Sequence, residues 1–236
     1  MNKLSLKEIE AEEERRTLQK ETTKSSNERY IKLTFFIATE GTKTEPNYFN
    51  ALKEELEKTK RFNIDISIEG KGKSTTALVK KVIRQVENNH QEYDRIWAVF
   101  DKDDFEDFDA AIELAKEHNV NCAWSNECFE LWLLLHFEDV SEQMGRNDLF
   151  KKLETSIRKA LSKSNQNVCF DLSKGDSEIY YRVNTLGNEE DAITRASKLK
   201  ALFNTSGKPF CKQNPCTNVD ALILELRHPE NIDIDL

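Results

Sequence analysis

Apolar residues in this chain fall into short runs separated by longer amphipathic stretches. Leu33-Thr34-Phe35-Phe36-Ile37-Ala38 is rich in strand formers and reads as a buried strand over Lys32–Thr39. From Phe62 to Glu69, Ile64, Ile66 and Ile68 alternate with polar residues, which predicts a strand with one more exposed face. Ile96-Trp97-Ala98-Val99-Phe100 is apolar throughout, as expected of a parallel strand covered on both faces. Asn121–Ser125 gives a short fourth strand. Between these runs apolar residues recur at helical spacing: Tyr48, Phe49, Leu52 and Leu56, then Leu78, Val82 and Val86, then Phe108, Ala111 and Ala115 within Phe105–Glu117. Asn126–Phe137 reads as a markedly apolar fourth helix. The alternation predicts an α/β fold, a parallel sheet flanked by helices.

Beyond residue 140 the spacing predicts helices over Asp148–Ser162, Glu189–Phe203 and Val219–Leu226. Loops are expected at Ser164–Asn167 and from Lys174, with an apolar Ile179-Tyr180-Tyr181 following. Three regions result: a charged arm over 1–30, the α/β domain over 31–140, and a mostly helical C-terminal region over 141–236 packing on it. The arm holds Glu8, Glu10, Glu12, Glu13 and Glu14 but too few apolar residues for a core-facing stripe, and reads as a solvated tail.

Composition narrows the setting. No apolar stretch reaches the ~20 residues of a membrane-spanning helix, and Leu131–Phe137 is interrupted by His136. Five cysteines, an odd number in 236 residues, and no leader-like N-terminus point to a reducing cytoplasm. Net charge is −8, so the general basic excess common among nucleic-acid binders is missing. The charge is uneven. Residues 40–140 hold 13 Lys/Arg against 22 Asp/Glu, and residues 141–210 hold 12 against 9. An acidic pole beside a mildly basic segment suits a metal site facing a polyanion, and equally suits chance in so charged a chain.

Candidate chemistry sits where the predicted strands end. Asp101, Asp103 and Asp104 follow the third strand. On an extended chain, residues i and i+2 point the same way, so Asp101 and Asp103 would leave the strand side by side. Two such carboxylates repel unless a cation or proton lies between them, and Mg²⁺ or Mn²⁺ is the natural hard-oxygen partner. Glu40 follows the first strand, and Gly41 supplies a turn tolerating positive φ. Thr44-Glu45-Pro46 reads as a helix start, with Thr44 as cap and Glu45 complementing the helix dipole. Asn126 and Glu130, four apart, are expected on one helical face near the fourth strand's end. Gly70-Lys71-Gly72-Lys73-Ser74 resembles a phosphate loop, but Ser67 stands where a Walker A glycine belongs. Lys71 and Lys73 before a helix N-terminus remain candidate phosphate contacts, together with Lys43. His136, in an apolar setting, reads as structural. Cys211 and Cys216 lack a second Cys or His pair at zinc spacing. Ligands of parallel sheets bind beyond the strands' carboxyl ends, so four loops converge on one rim.

Glu40-Gly-Thr-Lys-Thr-Glu45-Pro-Asn-Tyr48-Phe49, Phe100-Asp-Lys-Asp-Asp104, Ser125-Asn126…Phe129-Glu130 through Phe137, and Asn214-Pro-Cys-Thr217-Asn-Val219 resemble, in order, the motifs of the RloB-like family. Glu after the first strand and Asp-x-Asp after the third resemble the Toprim fold, shared with overcoming-lysogenization-defect nucleases. The resemblance implies a Toprim-like sheet with a helical extension. It implies a metal-dependent nuclease of antiphage defence or abortive infection, acting on RNA such as tRNA, or on DNA. Glu40 would be the general acid/base and Asp101 and Asp103 the Mg²⁺ ligands, with Glu40 at the metal as well. Glu45, Asp104, Asn126 and Glu130 would support them. A partner ATPase or defence-complex subunit, and a homo-oligomer, are compatible with it. Glu127 stands where the family commonly has Pro, which would alter the helix start or add a carboxylate. Two rival readings stay open: a phosphatase with Asp101 as nucleophile, and a non-catalytic nucleic-acid or partner binder on the same shell.

Overall fold

The computed structural model describes residues 33–59, 62–68, 74–89, 91–163 and 170–232. The charged arm over 1–30 and the lysines Lys71 and Lys73 lie outside the described residues. Strand β1 (Leu33–Thr39) leads to α1 (Thr44–Glu57), β2 (Phe62–Ile68) to α2 (Thr75–Asn88), and β3 (Arg95–Asp101) to α3 (Phe108–Glu117). Strand β4 (Asn121–Asn126) then leads to α4 (Glu130–Leu135), α5 (Arg146–Lys163), α6 (Ile179–Leu186) and α7 (Glu189–Phe203). A two-residue β5 (Cys216–Thr217) and α8 (Val219–Arg227) follow. The sheet order is β2-β1-β3-β4-β5. The four strands expected from the sequence are all parallel. Only β5 runs antiparallel, pairing Thr217 with Ser125 and Cys216 with Asn126.

The period of two along each strand divides the core into two layers. Phe35, Ile37, Trp97, Val99 and Ala123 pack with residues of α1, α4, α5, α6, α7 and α8. Phe36, Ala38, Ala98, Phe100, Cys122 and Trp124 pack with α2 and α3. Both faces are covered, which is why the third strand is apolar at every position. Helix α4 is apolar almost all round because it is buried all round: Leu131, Trp132, Leu133, Leu134 and Leu135 are each fully buried.

Several boundaries differ from expectation, each for a local reason. The fourth helix begins at Glu130 rather than Asn126, because Asn126 still pairs in the sheet. Asn126 and Glu130 are therefore not helical neighbours. Helix α3 begins at Phe108 rather than Phe105, and Asp107 just before it does other work. Its carboxylate accepts the Thr76 and Thr75 N–H groups at 2.9 and 3.3 Å. With Ser74 Oγ accepting from Ala77 N, it satisfies the start of α2. The helix N-terminus that the sequence offers as a candidate phosphate contact thus holds a carboxylate of the chain itself. Thr44 is the first helical residue rather than the cap, and its hydroxyl donates to the Lys174 carbonyl at 3.0 Å. Ile179–Leu186, whose first residues stand out in the sequence only as an apolar stretch, is a helix.

His136 follows α4 and is buried, with Nδ1 3.1 Å from the Trp132 carbonyl oxygen. Burial pushes its pKa down to about 4, and the charge of Arg195 adds to the effect. An unfolded histidine titrates near 6.5. The folded state therefore binds fewer protons than the unfolded chain between these values. This contribution is complete above pH 6.5 and is lost as pH falls toward 4. It should remove about 2 kcal/mol of stability between pH 7 and 5. Urea unfolding at both pH values should show that slope in the wild type and a much smaller one in His136→Asn. An equal slope in the variant assigns it to other groups.

Candidate active site

The ends of β1 and β3 put the first two carboxylates together. Thr39 stands opposite Val99 in the register, and the Glu40 N–H donates to the Val99 carbonyl at 2.9 Å. Glu40 thus leaves the sheet beside the last turn of β3, where Asp101 pairs with Ser125. Asp103 lies beyond the strand, in a turn with φ of 41°. This left-handed conformation is one that Asp tolerates better than most residues. The two aspartates do meet, although by a turn rather than by strand alternation. Glu45 enters from the first turn of α1 and Glu130 from the start of α4.

These five carboxylates line one cavity of about 130 Å³, together with Lys43, Arg146 and Lys174. Arg146 is the first residue of α5. Its Nη2 donates to Asp101 Oδ2 at 3.1 Å and to Asp103 Oδ1. A cation does sit between the two aspartates, and it belongs to the chain.

Gly41 has a role other than the expected one. Its φ is not positive. A β-carbon there would lie 2.0–2.3 Å from the Glu45 carboxyl atoms. The Glu45 carboxylate thus occupies the space that any side chain at 41 would take. Gly41→Ala should displace that flexible side chain while sparing the core. We expect the Glu45 carboxylate to leave the cavity in a crystal structure of the variant, with a melting temperature within a few degrees of wild type. A Glu45 carboxylate still in place would show that the close approach of Gly41 does not hold it there.

Among the described residues, five carboxylates and three basic side chains line the cavity. Burial pushes Asp101 well above the usual carboxylate range, Glu45 and Glu130 push it further, and Arg146 opposes them. Burial also raises Glu45, with Glu130 and Asp103 adding and Arg146 opposing. Burial opposes the charge on Arg146, but Asp101, Asp103 and Glu130 outweigh it and hold the guanidinium protonated. Among the described residues, no group of three or more His, Cys, Asp or Glu stands ready to hold a metal ion. Arg146 occupies the gap in which the Asp101 and Asp103 oxygens would share one. The donor chemistry nonetheless fits a hard divalent cation: five carboxylates around a cavity with room for an ion and a few waters. Holding it requires the Arg146 side chain to swing out.

Of the residues picked from the sequence, Glu40, Glu45, Asp101, Asp103, Glu130 and Lys43 line this cavity. Asp104 is exposed and outside it. Asn126 is buried but turned elsewhere, donating to the Phe210 and Cys211 carbonyls at 3.2 Å each. Glu127 adds no carboxylate to the cavity and accepts from Asn214 Nδ2 at 3.3 Å. Arg146 and Lys174 were missed. The only trace of them in the sequence is the mildly basic balance after residue 140.

A family model described as RloB-like protein matches residues 35–226. No curated protein matches the chain. No solved structure matches it.

Proposed function

This chain belongs to the RloB-like family, and from that premise and the carboxylate cluster we propose that it hydrolyses phosphodiester bonds of RNA or DNA with a divalent metal. The observation that carries the reading is the convergence of Glu40, Glu45, Asp101, Asp103 and Glu130 on one cavity at the carboxyl ends of parallel strands. Asp101 and Asp103 would hold Mg²⁺ or Mn²⁺, with Glu40 beside the ion. When bound, the ion would neutralise charge on the phosphate oxygens and lower the pKa of a water. Glu40 is buried and its N–H is held by the Val99 carbonyl of β3, and it would take a proton from the attacking water or give one to the leaving oxygen. Arg146, freed from the aspartates, would pair with a nonbridging phosphate oxygen. Lys43 and Lys174 on the rim would orient the strand. The resemblance to Toprim nucleases and a role in antiphage defence, alone or with an ATPase subunit, go with this reading.

One observation favours the rival binding role. Arg146 already bridges Asp101 and Asp103, so the site is partly neutralised without a metal. A phosphatase reading would require a phosphoenzyme on Asp101. One experiment separates all three. Purified protein is incubated with tRNA, single-stranded DNA and duplex DNA, with and without Mg²⁺ or Mn²⁺, and assayed in parallel on a phosphate monoester. Metal-dependent cutting of one nucleic acid supports the proposal. Binding without turnover in every metal supports the non-catalytic role, and monoester turnover with label on Asp101 supports the phosphatase.

A further inference from the structure

A second cavity, of about 700 Å³, opens on the other side of β4 from the carboxylates. Its size is that of sites for small organic ligands. Its lining differs from the rest of this acidic chain, which carries 43 Asp/Glu against 35 Lys/Arg. Among the described residues that line it none is acidic, and three are lysines: Lys116, Lys200 and Lys208. Lys200 is engaged by the buried Asp220 at 2.7 Å. Lys116 and Lys208 are exposed at the rim. The cavity therefore favours an anion.

Three aromatic rings and several side-chain amides complete it. Phe210 meets Trp124 with centroids 5.5 Å apart, and Lys208 Nζ lies 5.7 Å from the Phe203 ring centre. Phe203 and Phe210 are half-buried, so each keeps part of its ring open. Asn119, Asn121, Asn204 and Gln213 line the same space. Each amide both donates and accepts, as the edge of a nucleobase requires. Lysines for phosphate, aromatic faces for stacking and amides for base edges are the parts of a single-nucleotide site.

We propose that this cavity binds a nucleotide, its base against Phe203 and Phe210 and its phosphate at Lys116 and Lys208. The source is either a free nucleotide or one unit of a single strand. The site is tied to the carboxylate cluster through β4. Asn126 donates to the Phe210 and Cys211 carbonyls, and its neighbour Ser125 pairs with Asp101. The proposal does not depend on the carboxylates being catalytic.

The test is equilibrium binding of AMP, ATP and a short fluorescein-labelled single-stranded oligonucleotide to the full chain. The double variant Lys116→Ala/Lys208→Ala should weaken binding about tenfold or more and flatten its salt dependence. Phe210→Ala should weaken it about tenfold without changing the salt slope. Lys151→Ala, at an exposed lysine of α5 that does not line the cavity, should leave it unchanged. AMP or ATP binding that shows this pattern identifies a free nucleotide, and the same pattern with the oligonucleotide alone identifies a strand unit. No binding of any probe, or binding indifferent to both the lysine and Phe210 changes, overturns the proposal. Binding by a wild-type protein that never cuts supports the cavity and counts only against the cleavage reading.

Discussion

Arg146→Met should lower stability by about 3 kcal/mol in metal-free buffer, and Mg²⁺ or Mn²⁺ should restore much of it. The side chain spans Asp101 and Asp103, which are mostly buried, and is itself about a quarter exposed. Methionine keeps most of the stem volume and removes the charge. The change takes the Arg146 charge away from Asp101 and Asp103 while Glu45 and Glu130 stay close, and removing one partner of a buried pair is what makes breaking it costly. A divalent ion binding only the folded state would then add stability by mass action. It would also bind the variant more tightly than wild type, because no guanidinium has to leave. Chelator-treated protein is melted with and without metal to read the first effect, and calorimetric titration reads the second. A variant as stable as wild type without metal, or one indifferent to metal, would show that Arg146 does not hold the cation's place. Arg146→Lys keeps the charge but not the two-pronged geometry and should fall between them.

The value of Arg146 was not visible in the sequence. The alternation at Ile64, Ile66 and Ile68 marks a strand by its period, and Ile96–Phe100 marks one by a short apolar run of strand formers, so neither needs tertiary information. Helices with long apolar stripes were equally plain: Glu189–Phe203 has the same bounds in the structure as in the periodicity. Short elements were not. Strand β5 has two residues and α6 has eight, and both owe their form to neighbours rather than to propensity. A charge partner recruited from more than 40 residues away carries no period at all. Gly41 and Asp103 show a subtler gap. The sequence singles out both, but for other reasons than those the structure reveals: Gly41 makes room for Glu45 instead of supplying a positive-φ turn, and Asp103 reaches Arg146 from a left-handed turn.

Asp103→Asn and Asp101→Asn should abolish metal-dependent cutting, with at least about a thousandfold loss. Both keep the side-chain volume and can still accept from Arg146, so the fold should survive. Packing three carboxylates without a cation would predict that either change stabilises the metal-free protein. The structure alters that expectation. Arg146 already relieves Asp101 and Asp103, so removing one charge both weakens an ion pair and eases repulsion from Glu45 and Glu130, and the net change should be within about 1 kcal/mol. Metal affinity should fall sharply in both. Glu40→Gln should behave differently. Its backbone is held by the Val99 carbonyl and its side chain is buried, so the amide will occupy the same place. If Glu40 transfers the proton, turnover falls by about a hundredfold or more, while metal affinity changes far less than in the aspartate variants. Cleavage rates and calorimetric metal titrations on the three proteins read the two quantities separately. Wild-type cleavage by Asp103→Asn ends the metal reading. Equal loss of affinity in Glu40→Gln makes Glu40 a ligand rather than the proton-transfer group.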